Sequence, residues 1–319
     1  MARGPRLGAR GWWLGAGYRL GAATLLLVSA TARPAYAALS EGPRLATIYN
    51  SILNAQFDRA ETQLREACPP APREACQVLG VVASWWRIQI DPGNRTRDAH
   101  FLEQAAAATK AAEAWTIREP QRAEAFFYLA GSYAPLLQWQ VLRGERLAAA
   151  RNGSRVKRAL ERTLQLDPAI ADAHFGIGVY EYYADVASSA AKLLRWLLLL
   201  PGGDRVKGLQ EMLQARHGGV LLQGEADFQL HFVYLWYEHE PITAIELLQS
   251  LDARFPANPI FLEHIADAYD TYLHDTRMSA AAWRTLIDRA RNDRVFDATR
   301  TRSRAEEKLR ALDARTKLF

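Results

Sequence analysis

Apolar residues recur at helical spacing along almost the whole chain. Ile48, Ile52, Phe57, Ala60, Leu64 and Ala67 lie three to five apart, which marks one buried face over 46–67. Asp58 is placed to start a second helix within that stretch, and Pro69, Pro70 and Pro72 end it. The next helix is expected over 74–90, with Val78, Leu79, Val82, Trp85 and Trp86, before the turn Asp91-Pro92-Gly93-Asn94. An alanine-rich helix over 99–118 stops at Glu119-Pro120. A long helix over 121–147 has an aromatic side (Phe126, Phe127, Tyr133, Trp139), and Asn152-Gly153-Ser154 reads as the break after it. Further helices are expected over 155–166, 172–185, 205–215, 225–239, 242–255, 259–274, 279–291 and 298–317. No useful stretch alternates with the period of a strand, so the class is all-α.

The helices group into hairpins, and the hairpins repeat. Phe126, Leu129, Ala130 and Tyr133 give a large residue, a Leu–small pair and an aromatic one turn on. Phe175, Ile177, Gly178 and Tyr182, and then Leu262, Ile265, Ala266 and Tyr269, do the same later. Ala244, Leu248 and Pro256 suit a second helix, as do Ala60, Leu64, Ala67 and Pro72 earlier. Small residues let two helices approach, and large ones fill the remaining space. Pro168 and Pro256 are 88 residues apart, which is two periods of about 34 residues plus about 20 more.

This pattern resembles the tetratricopeptide repeat superfamily over most of 46–291. The resemblance implies a right-handed superhelix of helical hairpins over 38–291, with the basic segment 292–319 as a C-terminal capping helix. GIGVYEYYADV followed by LLRWLLLLPGGDRVKGLQ is similar to a group of exported bacterial tetratricopeptide proteins of unassigned function. The stretch 197–209 is also similar to a eukaryotic tetratricopeptide family implicated in inclusion clearance at mitochondria. Neither resemblance brings a catalytic residue with it.

In a stack of such hairpins the first helices line a concave face. The positions expected there are Phe127; then Phe175, Val179, Tyr182 and Tyr183; then Gln229, Val233, Trp236 and Tyr237; and finally Glu263, Asp267 and Asp270. That face changes from aromatic to acidic along the array. An aromatic groove suits an extended peptide or an amphipathic helix; the alternative is that these rings are core. Members of the superfamily that clamp a C-terminal carboxylate do so with lysine and asparagine. Here the corresponding places hold Phe175, Val179, Gln229 and Val233, so no such clamp is expected.

The excess length falls within 172–213, which reads as one hairpin carrying an apolar insertion at about 184–203. It contains Val186, Leu193, Leu194, Trp196 and four consecutive leucines, and ends at Pro201-Gly202-Gly203. Asp204 is placed to cap the following helix. The insertion is an extra helix packed across the array, a segment dipping into a membrane surface with Lys192 and Arg195 at the headgroups, or a partner-binding flap. It is too short to span a bilayer.

Residues 1–37 have the form of a signal peptide. Arg3, Arg6, Arg10 and Arg19 precede or flank a short apolar run over 20–28, and Ala35-Tyr36-Ala37 suits cleavage before Ala38. An uncleaved anchor is the alternative. Export to the periplasm, or another extracytoplasmic location, follows as the expectation. The leader also decides the charge argument. The chain has 40 basic and 35 acidic residues, and five of the arginines lie in the leader, so the remainder is balanced at 35 against 35. Bulk charge therefore gives no case for nucleic-acid binding.

Cys68 and Cys76 flank a proline-rich turn, and in an exported protein a disulfide is expected there; two free thiols are the alternative. Motifs of the zinc protease, nucleophile-elbow, P-loop and dinucleotide-binding kinds do not occur. His264, Asp267, Asp270 and His274 share one helix face, but solvation and helical hydrogen bonding account for them, so no metal or cofactor is expected. His231 and His239 are two turns apart with no obvious third ligand. The expectation is a non-enzymatic scaffold that binds a protein or peptide through its groove. The alternatives are a membrane-surface factor acting through the insertion, and an enzyme with an unrecognised site.

Overall fold

Thirteen helices, and no strand, make up the described residues of the computed structural model, 39–187 and 202–316. The expected leader and the greater part of the insertion lie outside those residues. The helices are α1 (Gly42–Leu53), α2 (Phe57–Ala67), α3 (Arg73–Ile90), α4 (Asp98–Arg118), α5 (Ala123–Arg143) and α6 (Arg146–Leu166). They continue with α7 (Ala173–Val186), α8 (Arg205–Gly218), α9 (Gln223–Trp236), α10 (Pro241–Arg254), α11 (Pro259–Thr271), α12 (Thr276–Arg291) and α13 (Ala298–Thr316). Each helix packs on the next, and α3 also packs on α1 and on α5.

The first expected stretch is two helices because the chain turns at Ala55, whose φ is 53°. Ala60, Leu64 and Ala67 then face the core of α2, at 0%, 9% and 0% exposure. The break after α5 corrects the sequence expectation. It falls at Gly144, whose φ of 82° lets the chain leave the helix. Asn152, Gly153 and Ser154 instead lie buried inside α6. Their polar groups have found partners there: Asn152 donates to Gln140 at 3.0 Å, and the Ser154 hydroxyl accepts from Arg158 at 2.9 Å. A residue set that favours turns in isolation serves here to bring α6 close to α5.

Side-chain caps start three later helices: Asp204 accepts from the Lys207 amide, Asn258 from Ile260 and Asp275 from Met278. At the crossing of α7 and α8 there is no room for side chains. A Cβ on Gly178 would stand 2.6 Å from the Gly208 carbonyl oxygen, and one on Gly208 would stand 2.5 Å from the Tyr182 amide nitrogen. The two backbones touch, so the hairpin closes tightly at this point.

The core does not run only between neighbouring hairpins. Tyr49 of α1 donates to Glu225 of α9 at 3.0 Å, and Trp86 of α3 packs on Phe228 with ring centroids 5.0 Å apart. Asn258 donates to the Leu53 carbonyl at 2.8 Å, and Phe57 meets Phe296 edge-on at 5.0 Å. The early and late helices therefore share one hydrophobic cluster. An open solenoid, in which each repeat touches its neighbours alone, would lack these contacts.

Candidate functional site

Helices α7, α9 and α11 bring the expected groove positions into three environments. Phe127 enters none of them: it is 5% exposed and packs edge-on against Tyr128 in the core. Phe175 is half-buried and lines an internal cavity with Tyr49, Trp86 and Glu225.

Tyr182, Tyr183 and Tyr237 form a cluster, their ring centroids 5.6 to 5.8 Å apart in edge contacts. Such arrangements set the positive ring edge against the negative face of its neighbour. Tyr182 is fully buried, and its hydroxyl donates to Glu238. Burial, with Glu238 beside it, raises its pKa. Arg205 pairs with the same carboxylate and, by hydrogen bonding, holds Glu238 below the usual carboxylate range. Gln229 donates to the Tyr183 hydroxyl at 2.8 Å, and burial raises the pKa of Tyr183. These groups spend their polar capacity on one another.

Trp236, the last residue of α9, is different. Its ring packs on Phe232 at 4.5 Å, yet the residue is 49% exposed. Beneath Phe232 lie His231 and His264, whose ring nitrogens are 3.0 Å apart. Burial lowers the pKa of His231, and it brings that of His264 down to about 4.

Glu263, Asp267 and Asp270 form the third environment, and basic residues of α13 lie beside it. Arg304 pairs with Glu263, Lys308 lies 3.9 Å from Asp267, and Arg315 lies 2.6 Å from Asp270. Burial raises the pKa of Glu263 despite Arg304, and raises that of Asp267 as well. His274 is exposed at the chain turn with φ 52°. The four residues weighed as a metal set thus face different partners, and among the described residues no three metal-binding side chains converge.

Cys68 and Cys76 are joined through their sulfurs, their Cα atoms 6.5 Å apart. Two acids carry more of the structure than their spacing suggests. Asp172 accepts from the amides of Val220, Leu221 and Leu222 at 2.7 to 2.9 Å, tying the start of α7 to that of α9. Glu225 accepts from Tyr49 and from the Trp86 indole at 3.2 Å, and burial raises its pKa. In sequence each reads as an ordinary first-turn acid; their partners lie 48 to 176 residues away. Glu225 shares its helix with Asp227, Gln229 and His231, so no local feature of the sequence marks it out as buried.

The chain matches no protein-family model and no curated protein. Among the described residues, no helix is long and apolar enough to cross a membrane.

Proposed function

We propose that this chain is an exported tetratricopeptide-type scaffold that works by binding a segment of another protein, without chemistry of its own. The observation that carries the reading is the Phe232–Trp236 pair at the end of α9. A tryptophan supported from below by a second ring, and still 49% exposed, is the kind of residue that anchors protein interfaces. The neighbouring tyrosines are spent on internal contacts, and the acidic stretch is paired with α13. The contact surface is thereby narrowed from the whole groove to its α9 end. A short apolar segment of a partner, presented as a helix or an extended strand, suits such an anchor.

Site-specific photo-crosslinking in the producing cell tests this. A crosslinking residue at position 236 should give a discrete adduct with one protein. The same residue at position 141, also exposed but on α5, should not. Equal adducts at both positions, or none at 236, would overturn the proposal.

A further inference from the structure

A cavity lies between α1, α3, α5, α6, α7 and α9, apart from the surface around Trp236. Its volume is about 100 Å³. That is the order of size that admits one small organic molecule: an apolar cavity of ~150 Å³ takes up benzene. The lining includes six aromatic residues, Tyr49, Trp85, Trp86, Phe127, Tyr128 and Phe175. It includes two carboxylates, Asp172 and Glu225, and no lysine, arginine or histidine.

The polar groups on this wall are unequally satisfied. Asp172 has three backbone amides. Glu225 has two neutral donors, Tyr49 and Trp86, both on the same oxygen, Oε2. Gln138 stands beside it, and no cation pairs with it among the described residues. The Tyr128 hydroxyl, on a residue 1% exposed, meets no hydrogen-bond partner. A buried carboxylate without a counter-charge and a buried hydroxyl without a partner are both costly. The carboxylate would be relieved by a cationic guest, and the hydroxyl by a guest that carries a polar group of its own.

Aromatic rings attract cations through the negative face of the π-system, and cages of such rings recognise quaternary ammonium groups. We propose that this cavity binds a small alkylammonium cation, of the size of tetramethylammonium or a methylated amine, with Glu225 as its counter-charge and the surrounding aromatic residues as its walls. A free inorganic cation does not suit the site, because it would lose its water to a wall that is mostly apolar. A neutral molecule of the same shape would leave Glu225 as it is. The Trp85 indole N–H also has no partner, so an alkylammonium compound bearing a hydroxyl is accommodated within the same class. Gly131, Ala134, Gln138, Phe175, Gly176 and Leu222 are the partly exposed members of the lining, and they mark where the wall comes nearest to solvent.

The test is titration calorimetry of the folded full chain with tetramethylammonium chloride. Sodium chloride at matched ionic strength serves as the control, and tert-butanol as the neutral compound of similar shape. Saturable binding with one site per chain is expected, at least about tenfold tighter than tert-butanol. Glu225→Gln should weaken it by about tenfold or more while the circular dichroism stays unchanged. Should that variant fail to fold, Phe175→Leu, at the half-buried edge of the wall, carries the comparison and should weaken binding several-fold. The proposal is overturned by absence of saturation through the millimolar range, or by equal binding of tert-butanol. Unchanged affinity in folded Glu225→Gln, or in folded Phe175→Leu if it has to stand in, would overturn it as well.

Discussion

The acidic and the aromatic ends of the expected concave face differ in what the chain itself places on them. On α11, Glu263, Asp267 and Asp270 meet Arg304, Lys308 and Arg315 of α13. On α9, Trp236 is packed from one side and left about half exposed. Charge in a groove attracts whatever opposite charge is near, and the nearest here is the basic C-terminal helix of the same chain. An aromatic end has no such complement in α13, which has few apolar residues to offer. A row of groove positions read from repeat spacing is therefore a list of surfaces. Which of them stay available depends on elements far away in sequence.

The largest effect is expected where the aromatic end is braced. Tyr182 holds its place because α7 and α8 meet backbone to backbone at Gly178 and Gly208. Gly208→Ala would put a methyl group 2.5 Å from the Tyr182 amide nitrogen and force the helices apart. Overpacking of this kind should cost about 3 kcal/mol, read as a lower midpoint in urea denaturation. A loss below about 1 kcal/mol would show that the hairpin opens easily, and that the tyrosine cluster is not held by this crossing.

The acidic end can be broken at its most buried pair. The side chains of Arg304 and Glu263 are 29% and 15% exposed, and Arg304 also donates to the Ile90 carbonyl at 3.1 Å. Arg304→Ala leaves Glu263 half-buried without its cation. A loss of about 2–3 kcal/mol is expected, somewhat below that for a fully buried pair. Adding Glu263→Gln should recover part of it, since an amide tolerates that setting better than a carboxylate. No recovery in the double variant would mean that α13 is held by packing alone.

Much of this was legible in the sequence, though unevenly. The positions picked by spacing in α2, α10 and α11, such as Ala60, Ala244 and Ala266, are fully buried. Spacing reports which face of a helix is buried, and that information is local. The partners of the acids were not legible, for the opposite reason. Nothing near Glu263 says that Arg304 will lie beside it, and nothing near Glu225 points to Tyr49. The break placed at Asn152-Gly153-Ser154 failed because turn-forming residues are also small and able to bond to a neighbouring helix. Gln140 of α5 supplies such a bond to Asn152, while Arg158 of α6 itself donates to Ser154.

The two ends should also respond to pH with opposite sign. His264 is neutral in the fold, with its pKa lowered to about 4 by burial, while an unfolded histidine titrates near ~6.5. Its contribution is fully present above the unfolded value, and is lost as pH falls from about 6.5 toward 4. Between pH 7 and 5 this should remove about 2 kcal/mol. Burial raises the pKa of both Glu263 and Asp267, so their protonated forms are favoured by folding. Their contribution is present at low pH and is lost as pH rises through the folded value. Urea denaturation at pH 7 and 5 separates the two ends through His264→Leu. Its stability should fall by about 2 kcal/mol less than that of the parent chain on acidification. An identical pH dependence would show that the histidine pair does not carry the acid sensitivity of the aromatic end.

The smallest expected effect sharpens the boundary of the acidic end. Arg315 and Asp270 are close, at 2.6 Å, but the Arg315 side chain is 58% exposed. In water the attraction is weak, and holding a long side chain in one geometry offsets much of it. Arg315→Ala should therefore change the stability by less than about 0.5 kcal/mol, and it should leave the aromatic end untouched. Amide exchange along the last turns of α13 is the finer measurement, and faster exchange there without a shift in the global midpoint is the expected pattern. A loss as large as that of Arg304→Ala would mean that the interface between α11 and α13 stays dry out to Asp270. The acidic end would then be closed by α13 more fully than distance and exposure at these pairs imply.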